Sequence, residues 1–257
     1  MKPRLIINKF LAGFGYEILR IPDRPVYNED GLLTDHNHNF IHDSEFQAAY
    51  KRNIQSYAGF DWKFRWRVHV GLWAASHAKR LSGDFVECGT NRGGMSSAIM
   101  QFLDWNTVGK HFYLLDTFKG IDERFTTDRE RANGIMNGSK QMLERGLYVT
   151  GVDSVKANFA EWKNIHIIEG SVPETLSRVD AREVAYLHLD MNCAPPEVAA
   201  AEFFWERLVG GAIVLLDDYG FGGHEAQREA LDGFAAAKQV KILCLPTGQG
   251  LIVKPPQ

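Results

Sequence analysis

From residue 84 to the end of the chain, short apolar runs alternate with segments whose apolar residues recur every three to four positions. The runs at 84–88, 111–116, 165–168, 184–190, 212–217, 240–245 and 250–254 are expected strands, each bounded by polar or turn-forming residues. The segments 95–105, 154–162, 195–208 and 224–238 carry a helical period, and Gly210-Gly211 marks a break before the fifth strand. Apolar strands alternating with amphipathic helices predict a parallel sheet covered on both faces. The last two strands are joined only by residues 246–249, which suits an antiparallel hairpin. The expected architecture is therefore α/β, a seven-stranded, mostly parallel sheet ending in an antiparallel C-terminal hairpin.

The first 80 residues follow other patterns. Residues 62–81 read as a helix with Phe64, Val68, Leu72 and Ala75 on one face. Residues 27–60 are polar and aromatic without a strand period, and read as loop with short helices, a candidate substrate-covering lid. Residues 1–19 set Lys2, Arg4 and Lys9 against Leu5, Ile6, Ile7, Phe10, Leu11, Phe14, Ile18 and Leu19, the pattern of an amphipathic helix. The longest unbroken apolar run there is Leu5 to Ile7, so neither an export signal nor a spanning segment is expected. Packing on its own domain or on a dimer partner is expected before contact with a membrane surface. The organisation expected is an N-terminal helical or lid segment, 1–80, serving one main domain, 81–257.

Composition narrows the partners. Twenty-nine Lys and Arg nearly balance 32 Asp and Glu with no dense basic run, which argues against nucleic acid. Cys88, Cys193 and Cys244 lack the close pairings of a zinc site, and read as reduced packing residues of a cytoplasmic protein. His36, His38, His42 and Asp43 fit no zinc spacing either.

The candidate chemistry lies at the carboxyl ends of the expected strands, where ligands gather in open α/β sheets. Asp190 ends one strand and Asp217-Asp218 another, so these acids can converge on one hard cation. The turn Glu87-Cys88-Gly89-Thr90-Asn91-Arg92-Gly93-Gly94 follows the first strand and opens a helix, as a cofactor loop does. It has glutamate where a dinucleotide fingerprint needs its first glycine. A carboxylate there repels a pyrophosphate but suits the ammonium and sulfonium of S-adenosylmethionine, although it could also cap the helix start. Asp116 ends the next strand and can accept from ribose hydroxyls. Ser154, Gly170 and Ser171 fall where contacts to an adenine edge are expected.

Over residues 83 to about 253 the chain resembles the macrocin O-methyltransferase family. The motifs that carry the likeness are Asp84-Phe85-Val86-Glu87-Cys88-Gly89 with Arg92-Gly93-Gly94, Leu115-Asp116-Thr117-Phe118-Lys119-Gly120, Val155-Lys156-Ala157-Asn158-Phe159, Leu189-Asp190, and Gly210-Gly211 through Asp217-Asp218-Tyr219-Gly220. The resemblance implies a Rossmann-like methyltransferase fold and O-methylation of a sugar hydroxyl with S-adenosylmethionine and magnesium. It implies a cofactor held by Glu87, Gly89 and Asp116, to which the loop residues Thr90, Asn91, Arg92 and Gly93 and the neighbours Thr117 and Asp190 are added, and a divalent ion held by Asp190, Asp217 and Asp218. The chain departs from the family at one point. The family's second acid after the metal aspartate, a proposed base, is here Asn192, which cannot take a proton. His224, with His188 second to it, is then the expected base beside metal activation of the hydroxyl at Asp190; a cofactor-binding homologue without turnover is the alternative. Catechols satisfy the chelation geometry as sugars do, and the family points to sugars. Tyr27, Phe40, Phe46, Tyr50, Tyr57 and Phe60 are candidates to stack on the acceptor, and a homodimer is expected through the N-terminal segment.

Overall fold

A computed structural model describes residues 3–14 and 26–256. The chain divides into two units, residues 1–38 and 39–257. In the first, helix α1 spans Pro3–Ala12, and the strands β1 (Tyr27–Glu29) and β2 (Leu32–Thr34) form an antiparallel hairpin. The hairpin turns through Asp30 and Gly31, both at positive φ (52° and 73°), the backbone that Asp-Gly favours in a two-residue turn. The expected helix thus occurs within 1–19, while residues 15–19 lie outside those described.

The second unit opens with α2 (Ser44–Ser56) and α3 (Arg65–Ala78). The 13-residue α2 corrects the expectation of loop with short helices here. Asp43 caps it by accepting from the Glu45 N–H at 2.9 Å, and Phe46, Ala49, Tyr50 and Asn53 make a buried stripe whose helical spacing the surrounding polar residues mask. Next come β3 (Asp84–Cys88), α4 (Gly94–Leu103), β4 (Phe112–Asp116), α5 (Asp128–Ala132), α6 (Ile135–Glu144), α7 (Asp153–Phe159), β5 (Ile165–Glu169) and β6 (Val184–Leu189). The chain closes with α8 (Ala194–Trp205), β7 (Leu208–Leu216), α9 (Glu225–Ala237), β8 (Leu243–Cys244) and β9 (Gly250–Val253).

The strands form one seven-stranded sheet in the order β5-β4-β3-β6-β7-β9-β8. The first five are mutually parallel, and β9 runs antiparallel to both β7 and β8, so the α/β expectation holds, hairpin included. Two boundaries differ. Gly210-Gly211 lies inside β7, at the register shift against β6, because a bulge absorbs the pair. Only Leu243 and Cys244 pair at the sheet edge, and Cys244 is exposed there, unlike the buried Cys88 and Cys193.

Side chains alternate across the sheet. Phe85, Leu114, Tyr186, Ile213 and Leu215 face α2, α3 and α4, while Val86, Leu187, Val214 and Leu216 face Phe204 of α8 and Leu231 of α9. The helices of residues 39–80 are part of this body: Ser56 and Ser97 share a 2.7 Å hydrogen bond between α2 and α4, and Arg52 donates to the Asn158 carbonyl at 2.6 Å. No helix among the described residues is long and apolar enough to cross a membrane. Strand order reverses between β3 and β6, and the loops leaving these two strands diverge into a crevice.

Candidate active site

A cavity of about 380 Å³ opens at this crevice. Its size suits a small-molecule ligand. Gly89 makes the crevice possible: φ is +95°, and a Cβ there would stand 1.8 Å from the Asp190 carbonyl oxygen, so the turn after β3 and the end of β6 are in contact.

On the β4 side, Gly89, Asn91, Asp116, Thr117, Gly170 and Ser171 line the wall. Asp116 accepts from the Asn91 N–H at 2.7 Å and the Phe118 N–H at 2.6 Å, which ties the β4 end to the loop after β3. Burial raises its carboxyl above the usual range against these hydrogen bonds. The Asn91 side chain donates to the Leu147 carbonyl and accepts from the Val149 N–H, fixing the far wall. Thr90 is buried in the loop, Arg92 turns to the Gly146 carbonyl at 2.7 Å, and Gly93 starts α4 against the Phe159 ring. Ser154 is exposed and does not line the cavity: α7 presents Val155 and Phe159 inward, which turns Ser154 out. Tyr148, Val149 and Val172 line the wall instead.

The β6–β7 side is acidic. Asp190, Asn192, Asp217 and Asp218 line it together. Asn192 holds the left-handed conformation (φ 60°), which asparagine tolerates, and its amide donates to Asp190 Oδ1 at 3.4 Å. Glu87 does not line the cavity. Its strand register sets it beside His188, whose Nδ1 donates to Glu87 Oε1 at 2.9 Å while Nε2 lies 3.5 Å from Asp217 Oδ1. Burial disfavours a charged His188, yet the two carboxylates outweigh it and hold the ring protonated well above its ordinary range. His224 also lies off the lining; it caps α9, with Nδ1 2.9 Å from Gln227 Oε1.

Two side chains that the sequence patterns did not single out, Arg67 and Gln249, complete the acidic wall, and the expected Tyr57 stands beside them. Arg67 of α3 donates to Asp217 Oδ2 at 2.6 Å and Asp218 Oδ1 at 3.3 Å, and Gln249 donates to Asp217 Oδ1 at 3.0 Å. Tyr57 lines the cavity, and burial with Asp190, Glu87 and Asp217 nearby pushes its phenol far up. The signal for Arg67 was its place next to Val68 on the inward stripe of α3, where a charge needs a partner. Asp217 is held below the usual carboxylate range because Arg67 and His188 outweigh its burial, whereas Asp190 and Asp218 are raised by burial and by neighbouring acids.

Asp190, Asp217 and Asp218 are oxygen donors of the kind that could hold a hard divalent ion. Ligand atoms of His188, Asp190 and Asp217 lie within 4.8 Å of one another, although a protonated His188 has no lone pair to give, and Asp218 Oδ2 is buried with no hydrogen-bond partner among the described residues.

Of the aromatic residues expected to meet an acceptor, Tyr57 lines the cavity. Phe46 and Tyr50 are consumed in the core, Phe40 stacks on His69 at 4.0 Å, Phe60 packs on Trp62, and Tyr27 belongs to the first unit. Trp62, Phe64, Phe125 and Phe221 form the apolar wall instead.

Sheet order, the glycine turn after β3 and the carboxylates at the strand ends define a Rossmann-like fold of the methyltransferase type. The O-methyltransferase NovP superposes with a TM-score of 0.65 at 14% identity, covering 86% of this chain and 100% of that one. The SAH-bound methyltransferase PaMTH1 of Podospora anserina gives 0.53 at 14%, covering 80% and 87%. The model of the macrocin-O-methyltransferase (TylF) family matches residues 72–243, and the chain belongs to this family. An 8-demethyl-8-(2,3-dimethoxy-alpha-L-rhamnosyl)-tetracenomycin-C 4'-O-methyltransferase of Streptomyces olivaceus is 25% identical over 166 residues, 61% of this chain; the match spans 59% of that relative's length.

Proposed function

We propose that the protein is an S-adenosylmethionine-dependent O-methyltransferase acting on a hydroxyl of a sugar carried by a small molecule, with a divalent ion such as magnesium at its acidic wall. One observation carries the reading: the Gly89–Asn91–Asp116 wall and the Asp190/Asp217/Asp218 wall face the same cavity. Family membership supports methyl transfer to oxygen, the SAH in the PaMTH1 structure supports the cofactor, and the rhamnosyl group in the Streptomyces relative's name supports a sugar acceptor.

S-adenosylmethionine would supply an activated methyl group, and a divalent ion held by Asp190, Asp217 and Asp218 would lower the pKa of an acceptor hydroxyl. The chain's own residues do the rest. Asp116, oriented by two N–H donors, accepts from ribose hydroxyls, and Gly89 lets a ligand approach the backbone closely. Trp62, Phe64, Phe125 and Phe221 exclude water and offer apolar faces to the carbon side of a sugar. Asn192 orients Asp190 and cannot accept a proton. His224, half-buried near Asp218 with Nδ1 engaged by Gln227, lies off the cavity lining and would take the acceptor's proton through solvent. The free thiols Cys88, Cys193 and Cys244 support a reducing, cytoplasmic setting.

Calorimetric titration of S-adenosylhomocysteine, with and without magnesium and with NAD as control, tests the reading. Micromolar binding with NAD silent is expected, followed by labelled-methyl transfer to glycosylated acceptors and not to catechols. No binding in either condition overturns it.

A further inference from the structure

Arg67 is the one guanidinium lining the cavity among the described residues, and its side chain is 6% exposed. Nη1 donates to Asp217 Oδ2 at 2.6 Å, and Nη2 to the Asp217 carbonyl at 3.2 Å and Asp218 Oδ1 at 3.3 Å. Two aromatic rings lie against it, with the Phe221 centroid 4.2 Å and the Phe64 centroid 4.9 Å from Cζ. This is a built seat, made by α3, the chain entering it and the turn after β7.

The guanidinium takes one oxygen from each of two adjacent buried carboxylates, so those oxygens are shared out before any ion arrives. The other Asp217 oxygen is already occupied by Gln249 at 3.0 Å, with His188 Nε2 at 3.5 Å. Asp190 and Asp218 Oδ2 remain, and Asp190 Oδ1 is touched by Asn192 at 3.4 Å. While Arg67 sits there, an ion finds fewer open carboxylate oxygens than the three aspartates carry, and would fill the rest of its shell with water. Arginine stays protonated at any working pH, so this counter-charge does not titrate away. Without it, Asp217 would keep only Gln249 and His188, and Asp218 beside it would be a buried charge short of a partner.

We infer that Arg67 is the resident counter-cation of Asp217 and Asp218 and competes with a divalent ion for their oxygens, so that its seat sets the protein's metal affinity. The inference rests on the reading of Asp190, Asp217 and Asp218 as the ion site. A protein whose ion-competent arrangement is a minor one binds the ion more weakly by that fraction. Weakening the Arg67 seat therefore strengthens ion binding, the reverse of what loss of a supporting residue would do.

The test is calorimetric titration of Mn²⁺ into the full chain, as wild type, Arg67→Gln and Phe221→Ala. Phe221→Ala removes one ring of the seat and leaves every charge in place, so it tests the idea even where Arg67→Gln does not fold. Mn²⁺ affinity is expected to rise by at least ~10-fold in Arg67→Gln and by a smaller factor in Phe221→Ala. Affinity equal to or weaker than wild type in either folded variant overturns the inference. S-adenosylhomocysteine titrated into the same samples reads the cofactor site separately. Absent Mn²⁺ binding in all forms with that binding intact removes the counter-cation and leaves the methyltransferase reading standing.

Discussion

Gly89 shows how much one backbone position can decide. Alanine there meets both a positive φ and a carbonyl oxygen 1.8 Å away, which belongs to Asp190 and is backbone, so it cannot swing aside. Gly89→Ala is expected to lower stability by ~2 kcal/mol or more and to abolish S-adenosylhomocysteine binding. An unchanged urea midpoint would contradict this contact between the two turns. Glu197, wholly buried behind the same loop, accepts from the Met191 N–H at 3.0 Å, and burial, aided by Asp218, lifts its carboxyl from 4.5 to about 8. The folded chain therefore holds this proton more tightly than the unfolded chain. Its contribution is fully present below the unfolded pKa and is lost as pH rises from about 5 through about 8. Glu197→Gln keeps the size and an acceptor, so the variant's melting temperature should fall less than wild type's across that window. Parallel curves would refute the raised carboxyl. Neither effect is visible in a residue list: a glycine and a glutamate acquire these properties from what folding places against them.

Among the elements, the short helix α5 has more influence than its length suggests. Thr127 and Glu130 form a capping box, with the Glu130 N–H donating to Thr127 Oγ1 at 3.2 Å and the Thr127 N–H donating to Glu130 Oε2 at 2.7 Å. The other Glu130 oxygen accepts from the Ala194 N–H at 2.6 Å, so the cap also secures the start of α8 just after Asn192. Thr127→Ala should cost ~1 kcal/mol and lower the melting temperature by ~2–4 °C in a chain of this size. Differential scanning fluorimetry checks it, and no change would mean that Glu130 holds without its box. The same scale explains where pattern reading ran short. The capping box falls in a polar stretch whose periodicity is too brief to register, and α2 hides behind Asn53 and its charged outer face. β7 passes through a glycine pair that reads as a break, because tertiary pairing to β6 overrides the local preference for a turn.

At the scale of the whole molecule, the second unit carries both core faces and every residue lining the cavity, while the first carries exposed apolar side chains near α1. Ile7, Phe10 and Phe14 on and just after α1 are 45%, 68% and 66% exposed. The homodimer expected through the N-terminal segment would cover these side chains. Light scattering should then show a dimer for the full chain and a monomer once residues 1–22 are removed. An unchanged mass ratio between the two would sink that assignment.

The strands, their order of succession, the glycine turn after β3 and the carboxylates at the strand ends were legible in the sequence, because sheet and helix periods are local and strand ends mark where ligands gather. That Asp190, Asp217 and Asp218 lie on one wall follows from strands that the sequence already places in one parallel sheet. What the acids meet there was not legible. Arg67 is 150 residues from Asp217, and Gln249 is 32 residues beyond it. Glu87 meets His188 through a cross-strand register that no single strand encodes. The sequence by itself determined the scaffold and the acids it carries; the tertiary structure alone decided their charge partners, since burial and electrostatics depend on distances that chain order does not contain.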